Sequence, residues 1–306
     1  MPHLSAALGG PTLLVKRDDQ TGLALGGNKT RKLEFLMAEA QANGARTIIT
    51  AGAVQSNHCR QTAAAAARFG LACILVLAGD PPASASGNLL LDRLLGAELV
   101  WTTRPERERT LRETFERAWE QGRRPYLVPY GGSNPTGAAG YVFALREMLE
   151  QDIHPDWVVF PSSSGGTQAG LSVGARLFGY RGRILGMSVD ETAEVLRQRV
   201  AALATATADY LGESMAFTAD DILVNADYLG QGYGVIGEPE VEAIRLFARH
   251  EGLLLDPVYT GRAAAGLIDL IRRGFFKAGE TVLFWHTGGA AALFADRYRQ
   301  ALEDGG

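Results

Sequence analysis

Short apolar strands alternate with amphipathic helices along most of this chain, and this alternation restricts the fold more than any other feature. Strand-like runs occur at 13–15, 47–50, 73–77, 98–101, 126–129, 157–160, 183–187 and 281–284. Segments with helical periodicity occur at 33–40, 63–69, 88–95, 107–120, 138–151, 169–178, 191–204, 238–250 and 263–273. Because a helix that joins two neighbouring strands leaves them parallel, the alternation predicts an α/β protein built on parallel sheets.

The strand–helix pattern starts again near residue 138, which predicts two open twisted parallel sheets, one before and one after that point. A chain of 306 residues agrees with this division, since a domain commonly contains about 100–200 residues. Each half is then long enough to bury a core of its own.

Charge and composition exclude several classes of function. The formal net charge is −4, and the arginines between 104 and 112 are interleaved with glutamates, so no nucleic-acid surface is expected. No apolar run approaches the ~18–20 residues that span a bilayer, and the N-terminus lacks a signal segment. Cys59 and Cys73 have neither metal-binding spacing nor the number needed for a disulfide framework. These features predict a cytoplasmic protein without a metal or a membrane partner.

The most informative short stretch is Gly-Gly-Asn-Lys-Thr-Arg-Lys-Leu-Glu at 26–34. Asn28 can cap a helix, and Lys29 and Lys32 then share one face of its first turn. The positive end of the helix dipole and the neighbouring Arg31 both lower a lysine pKa, and a partly neutral lysine can act as a nucleophile. On this stretch alone, a solvated basic first turn is the favoured explanation.

A loop rich in serine and glycine follows the predicted strand 157–160 and leads into a helix. It contains Ser164, Gly165, Gly166 and Thr167. Small residues let backbone N–H groups converge at a helix N-terminus, so the loop is a candidate phosphate site, although a flexible loop without a ligand is the alternative. It lacks the G-x-G-x-x-G dinucleotide pattern. Residues 22–30 resemble a P-loop only loosely, because Asn28 separates glycine from lysine.

Polar residues at 55–58, Gln-Ser-Asn-His, fall at a predicted strand-to-helix turn that suits a substrate carboxylate. Helix capping by Ser56 or Asn57 is the simpler explanation for such a turn taken alone. His58 and His286 could act as bases, but packing is more typical of isolated histidines like these.

Two tyrosines also stand in loops. Tyr233 lies between glycines, and Tyr259 follows an apolar run at a strand-end position where α/β proteins place ligand contacts. A nucleophilic lysine, a phosphate loop, a carboxylate turn and a loop aromatic together match pyridoxal phosphate. That cofactor carries an aldehyde, a phosphate and a flat ring.

With these motifs in place, the chain resembles the fold-type II pyridoxal-phosphate enzymes, specifically the D-cysteine desulfhydrase and 1-aminocyclopropane-1-carboxylate (ACC) deaminase family. The shared motifs include 26–34, 55–58 and the 162–170 loop, with Gly-Gly-Ser-Asn at 131–134, Asp-Pro-Val-Tyr-Thr-Gly at 256–261 and His-Thr-Gly-Gly at 286–289. The resemblance implies a tryptophan synthase β-like fold and a homodimer that binds a small amino acid. It also implies a larger cofactor-binding domain at 1–34 and 139–306, a smaller domain at 35–138, and an active site in the cleft between them.

The resemblance also assigns roles to individual residues. It implies catalytic roles for Lys29, the Schiff-base lysine, and for Ser56, Tyr233 and Tyr259. It implies cofactor contacts for Lys29, Lys32, Asn57, Ser164, Gly165, Gly166, Thr167, Tyr259, Thr260 and Thr287. It implies substrate contacts for Ser56, Asn57, His58, Tyr233 and Thr287.

Two positions favour one reaction within the family. The deaminases carry Glu after the stacking tyrosine and Leu after the histidine of the last loop, whereas this chain has Thr260 and Thr287, as the desulfhydrases do. A carboxylate at the pyridine nitrogen would strengthen the electron sink, and eliminating hydrosulfide needs less of it than opening a cyclopropane. D-Cysteine β-elimination is therefore expected, with L-cysteate sulfo-lyase, ACC deaminase and a non-enzymatic ligand binder as alternatives.

The chain departs from the family pattern at several positions. Residues 162–165 are Ser-Ser-Ser-Gly where a Gly-Ser-small run is usual, Arg262 replaces a usual lysine, and Ala291 stands where many desulfhydrases have proline. None of these positions is the catalytic lysine, but they leave the identity of the substrate open.

Overall fold

Both sheets are entirely parallel in the computed structural model, which describes residues 1–303. The strands are β1 (Thr12–Arg17), β2 (Thr47–Ala53), β3 (Ala72–Ala78), β4 (Glu98–Thr102), β5 (Pro125–Leu127), β6 (Trp157–Ser162), β7 (Arg183–Ser188), β8 (Leu223–Asn225) and β9 (Thr281–His286). The helices are α1 (Pro2–Leu8), α2 (Asn28–Ala42), α3 (Asn57–Arg68), α4 (Gly87–Leu94), α5 (Arg107–Glu120), α6 (Pro135–Glu150), α7 (Gly166–Leu177), α8 (Ala193–Tyr210), α9 (Glu238–Glu251), α10 (Thr260–Arg272) and α11 (Asp296–Glu303). Within residues 1–303, none of the helices has the length and apolar character needed to cross a bilayer.

The strand order is β4-β3-β2-β5 in one sheet and β1-β9-β6-β7-β8 in the other. The prediction of an α/β fold with two parallel sheets is confirmed. The division near residue 138 is wrong for the first strand, because β1 joins the second sheet and pairs with β9, with Val15 opposite Phe284. A short apolar strand fits either sheet, and local sequence does not encode which distant strand it joins.

Three elements lie outside the predicted pattern: α1, β8 and α11. Each carries too few buried residues to produce a periodic signal. The helix α1 buries only Leu4, β8 is a three-residue edge strand, and α11 buries only Tyr298. The predicted strand at 126–129 is also shorter than expected, since β5 ends at Leu127.

Besides α6, which begins at Pro135 and not at 138, four helices begin three or more residues before their apolar periodicity does: α2, α3, α7 and α10. Their first turns consist of polar residues and glycine, so these turns give no periodic signal. The N-termini of these helices consequently lie within the short motifs that the sequence marks as functional.

Glycines bring three of the helices into backbone contact. A Cβ at Gly140 of α6 would lie 2.3 Å from Arg31 O of α2, and a Cβ at Gly170 of α7 would lie 2.2 Å from Ala138 O of α6. Side chains larger than hydrogen would push the helices apart. The close packing of α2 and α7 on α6 brings the lysine turn and the serine–glycine loop into one place.

Candidate functional site

A cavity lies among turns most of which follow strands of the two sheets. The turn at Tyr259 does not, since residues 252–258 form no strand, so the expected strand-end position of Tyr259 is wrong. It is lined by Asn28, Lys29, Lys32, Ser56, Asn57, His58, Tyr130, Gly131, Pro161, Ser162, Ser163, Ser164, Gly165, Thr167, Tyr259, Thr287 and Gly288. Open α/β sheets bind ligands outside the carboxyl ends of their strands, and this cavity has that position. It is therefore the candidate active site.

Lys29 lies in the first turn of α2 and lines this cavity. Its Nζ donates a 2.9 Å hydrogen bond to Asn28 Oδ1 and lies 5.9 Å from the centre of the Tyr259 ring. Burial lowers the pKa of Lys29 to about 8, while Asp256 opposes and Arg60 adds to that lowering. An appreciable fraction of the amine is therefore neutral near pH 7, and the neutral amine is the nucleophilic form.

The surroundings of Lys29 differ in two respects from those expected. Arg31 is engaged elsewhere: its Nη1 donates to Glu147 Oε2 at 2.8 Å and its Nε to Asp18 Oδ1 at 2.9 Å. The N-cap is Gly27, with a φ of 132° that favours glycine, and Asn28 is already helical. The expected cause of the lowered pKa was thus partly wrong, because burial contributes most.

Lys32 lies one turn further along α2 and is only 1% exposed. Its Nζ donates to Gly131 O at 3.0 Å and to Ser133 Oγ at 3.2 Å, and both of these acceptors are uncharged. Burial, followed by the charge of Lys29, lowers the pKa of Lys32 well below its ordinary value. Among residues 1–303, neither lysine forms an ion pair. Since buried charges are normally paired, the cavity has the character of an anion site.

The serine–glycine loop faces Lys32 from the start of α7. Ser164 Oγ lies 2.7 Å from Ser133 Oγ, which also accepts a 3.1 Å hydrogen bond from Gly166 N. A Cβ at Gly166 would lie 2.6 Å from Ser133 Oγ, so only glycine allows this approach. The first backbone N–H groups of a helix have no intrahelical partners and attract anions, so this loop and Lys32 together suit a phosphate.

Ser56 and Asn57 begin α3 on another wall of the cavity. Ser56 is the N-cap, and its Oγ accepts a 3.1 Å hydrogen bond from Cys59 N. The hydroxyl therefore caps the helix and also lines the cavity, so the two explanations of this turn are compatible. Gln55 points elsewhere: its Nε2 donates to Ser86 O at 2.9 Å.

The two histidines are buried and poorly suited to act as bases. Burial lowers the pKa of His58 well below its ordinary value, and its Nε2 lies 2.8 Å from Thr50 Oγ1. Burial also lowers the pKa of His286 to about 4, and its Nδ1 accepts a 3.2 Å hydrogen bond from Gly288 N. Both rings are neutral at pH 7, and of the two only His58 lines the cavity.

Tyr259 is held in place by the buried carboxylate of Asp256. The Asp256 oxygens accept hydrogen bonds from Val258 N at 3.1 Å, Tyr259 N at 3.0 Å and Thr260 N at 2.7 Å. An aspartate that accepts such local N–H bonds fixes a turn, and here the turn begins α10. The Tyr259 ring is thereby positioned in the cavity wall.

Tyr233 and Thr260 do not line the cavity themselves. The Tyr233 hydroxyl lies 2.6 Å from the Tyr259 hydroxyl, with the two rings edge to face at 5.9 Å, so Tyr233 reaches the cavity through Tyr259. The Thr260 hydroxyl is fully buried and donates to Asp256 Oδ1 at 2.8 Å. Thr287 lines the cavity, and its carbonyl accepts from Asn28 N at 3.0 Å. Gly166 also lies outside the lining, next to Thr167.

Sequence reasoning missed several residues that build the site. Tyr130, Ser163 and Asn28 line the cavity, and Ser133 and Asp256 hold the groups that do. Ser133 and Asp256 lie in the shared motifs at 131–134 and 256–261. The motifs therefore indicated that these residues matter, but not what they do. Asn28 and Ser163 likewise lie in the shared motifs at 26–34 and 162–170, whereas Tyr130 lies outside every motif and gave no such signal.

Comparison with known proteins agrees with this geometry. A family model described as "Pyridoxal-phosphate dependent enzyme" matches residues 1–288. A D-cysteine desulfhydrase of Klebsiella pneumoniae (strain 342) is 45% identical over 306 residues, covering 96% of this chain and 92% of that protein. The crystal structure of an ACC deaminase homologue has a TM-score of 0.89 at 38% identity, covering 99% of this chain and 91% of that one. The fold is shared with the processed form of threonine deaminase isoform 2 from Solanum lycopersicum. That structure has a TM-score of 0.67 at 17% identity, covering 98% of this chain and 79% of that one.

Proposed function

We propose that this chain, which belongs to the pyridoxal-phosphate dependent enzyme family, is a carbon–sulfur lyase that converts D-cysteine to pyruvate, ammonia and hydrogen sulfide. The family, the fold type and the cofactor expected from the sequence are confirmed by the match over residues 1–288 and by the similarity to the desulfhydrase. The roles of individual residues and the preferred substrate are our inference.

The observation that carries the proposal is the pair of buried lysines without an anionic partner. Lys29 provides an amine whose pKa is about 8, and Lys32 provides a second cation at the N-terminus of α7. Pyridoxal phosphate suits both lysines, since its aldehyde reacts with an amine and its phosphate is an anion that pairs with a cation. We assign Lys29 as the covalent lysine, with Lys32, Ser164, Gly165, Gly166 and Thr167 around the phosphate.

The remaining cofactor contacts follow from the walls of the cavity. Asn57 would hydrogen-bond the ring oxygen, and Tyr259 would stack on the ring from the start of α10. Thr287 would contact the ring from the last loop, and Thr260 would act from behind through Asp256. The rigid turn at Asp256 supports the stacking role, because a ring fixed by its backbone loses little freedom when it binds.

Bound pyridoxal phosphate supplies an aldehyde for the substrate amine and a ring that accepts electrons from the α-carbon. Lys29 Nζ would be the base that removes the proton from that carbon. Ser56 Oγ already accepts from Cys59 N, so its own proton is available for the substrate carboxylate. Asn57 and His58 border the same wall and complete the substrate pocket with Thr287.

The tyrosine pair is suited to help the leaving group. Tyr233 and Tyr259 share one hydrogen bond of 2.6 Å, so one of their two hydroxyl protons remains available. Burial raises the pKa of both phenols well above the ordinary value, which keeps both protonated at pH 7. The free proton can be donated to a departing sulfur.

The choice of substrate rests on similarity and on two threonines. The 45% identical relative is a D-cysteine desulfhydrase, and Thr260 and Thr287 match the desulfhydrase pattern. The ACC deaminase homologue at 38% identity makes ACC deamination the second candidate, and L-cysteate sulfo-lyase the third. A thiolate leaving group needs a weaker electron sink, in agreement with a threonine behind the ring.

Product release from a panel of amino acids tests the proposal. We expect pyruvate to form fastest from D-cysteine, compared with L-cysteate and β-chloro-D-alanine, and little ketobutyrate to form from ACC. Fastest turnover of ACC would overturn the argument from the two threonines. A purified protein that stays colourless with added pyridoxal phosphate would instead support a ligand binder without enzymatic activity.

We also infer a cytoplasmic homodimer. Cys59 and Cys73 are both free thiols, which is typical of a reducing compartment. Leu94 at the end of α4 and Phe294 before α11 are 72% and 68% exposed, and exposed large apolar side chains are enriched at subunit interfaces. Light scattering should give about twice the 32.7 kDa chain mass, and Leu94→Glu should shift it toward the monomer.

A further inference from the structure

The amide of Asn57 is held in one orientation by two donors from behind the cavity wall. Its Oδ1 accepts a 2.9 Å hydrogen bond from Asn88 Nδ2 and a 3.2 Å hydrogen bond from Arg60 Nη1. An amide oxygen that accepts from two donors leaves the amide NH₂ on the opposite side. That Nδ2 has no hydrogen-bond partner among residues 1–303, and a Cβ at Gly289 would lie 2.7 Å from it.

Asn88 is itself fully engaged at the start of α4, where it is 0% exposed. Its Nδ2 also donates to Gln55 O at 3.0 Å, and its Oδ1 accepts from Arg60 Nη1 at 2.7 Å. Its backbone N donates to Gln55 Oε1 at 2.8 Å. Every one of the side-chain bonds would be lost or reversed if the Asn88 amide turned over, so its own orientation is determined.

Arg60 connects this network to the lysine turn. Its Nη2 donates to Gly26 O at 2.8 Å, just before the helix that carries Lys29. Burial lowers the pKa of Arg60 to about 10, so the guanidinium stays charged at pH 7 and can act only as a donor. An oxygen, and not an NH₂ group, must therefore face Arg60 from both Asn57 and Asn88.

We propose that Asn88 is a positioning residue, which with Arg60 fixes the Asn57 amide so that its Nδ2 donates to the ring oxygen of pyridoxal phosphate. This inference rests on the proposed function, because Asn57 has this role only if the cavity holds the cofactor. Asn88 lies outside the cavity lining, and of its side-chain partners only Asn57 lines the cavity.

The near-isosteric variant Asn88→Asp tests the inference directly. A carboxylate keeps the bond from Arg60 but places an acceptor against Asn57 Oδ1 in place of the Nδ2 donor, so the Asn57 amide loses one of the two bonds that fix it and no longer holds its Nδ2 toward the ring oxygen. The ring oxygen then loses a donor and becomes more basic. In the loaded protein, the midpoint pH of the visible absorption band should rise by about one to two units.

Three further single variants and one double variant separate positioning from other effects. Asn88→Ala, which adds no charge, should raise the midpoint in the same direction. Asn57→Ala alone should give a shift like that of Asn88→Asp, and combining the two should add less than about 0.3 unit, because Asn88 acts through Asn57. The exposed control Asn43→Asp should leave the midpoint unchanged.

The outcomes distinguish the inference from the function on which it rests. If the wild-type protein shows no visible band that disappears on borohydride reduction, the proposed function is contradicted, and the inference with it. A wild-type band whose midpoint is the same in Asn88→Asp, Asn88→Ala and Asn43→Asp contradicts the inference alone. A shift from Asn88→Asp that persists in the Asn57→Ala background also contradicts it, since the added charge would then act without Asn57.

Discussion

Arg262 and the Lys29–Lys32 pair are both buried cations, yet their surroundings differ. Arg262 is 1% exposed and donates from Nε to Glu240 at 2.8 Å and from its Nη atoms to the carbonyls of Val189, Gly232 and Val235. Lys32 has two uncharged acceptors, and Lys29 has one. One cation is neutralised by the protein, whereas the other two are not.

This difference separates a structural charge from a functional one. The carbonyls of Gly232 and Val235 flank Tyr233, so Arg262 fastens the Tyr233 loop to α10. The lysines face a cavity, where their unmet charge costs stability until an anion arrives. The substitution of arginine for a usual lysine at 262 fits this role, because a guanidinium donates in several directions at once.

Replacing Lys29 should have the largest effect on function. Lys29→Ala removes both the covalent anchor and the proposed base, so turnover of D-cysteine should fall by at least about 10³-fold while the fold persists. The measurement is pyruvate release, with circular dichroism to confirm folding. Lys277→Ala, at an exposed lysine, is the control. Full activity in Lys29→Ala would remove the basis of the assignment.

Replacing Arg262 should have the largest effect on stability. Arg262→Met leaves Glu240 buried without its partner, so the free energy of unfolding should fall by about 3–5 kcal/mol in chemical denaturation. The control Arg272→Met breaks an exposed pair with Glu242 and should cost less than about 1 kcal/mol. Equal losses in the two variants would show that Arg262 is not a structural cation of the kind described.

Lys32 should behave in the opposite way to Arg262. In the cofactor-free protein, Lys32→Met removes a buried cation without an anionic partner, so stability should be unchanged or higher by about 1 kcal/mol. Affinity for pyridoxal phosphate should fall about 10- to 100-fold, because the phosphate loses its charged donor. Equilibrium titration and denaturation measure the two quantities. A large loss of stability without a loss of affinity would contradict the comparison.

The pH dependence of cofactor attachment should follow Lys29. Its pKa is lowered from 10.5 to about 8, so the amine loses its proton as the pH rises through 8. The rate at which the cofactor-free protein reacts with pyridoxal phosphate should rise roughly fivefold from pH 7 to 8 and level off above about pH 9. Stopped-flow absorbance measures this rate. A midpoint near that of a free lysine would indicate an exposed amine.

Much of the fold could be predicted from the sequence because its signals are local. The apolar runs of β3 and β7 and the periodicity of α5 identify these elements without knowledge of the rest of the chain. The sheet that β1 joins could not be predicted in this way, because its partner β9 lies at the other end of the chain. The starts of α7 and α10 were missed because their polar first turns hide the periodicity, whereas the motif at 26–34 placed the start of α2 within one residue.

The candidate site shows the same difference between features set by local sequence and features set by distant contacts. Lys29, Ser56 and Tyr259 lie in short motifs whose residue types indicate their chemistry, and all three line the cavity. The contacts that set their properties join distant segments. Lys32 donates a hydrogen bond to Gly131, and Arg60 donates to both Asn57 and Asn88. Local composition indicates none of these hydrogen bonds.

The most direct test of the account asks which lysine carries the cofactor. The chain has four lysines, Lys16, Lys29, Lys32 and Lys277, so borohydride reduction of the loaded protein followed by peptide mass spectrometry gives a clear answer. We predict a pyridoxyl adduct on Lys29 and on none of the other three. An adduct on Lys32, or no adduct on any lysine of a coloured protein, would contradict it.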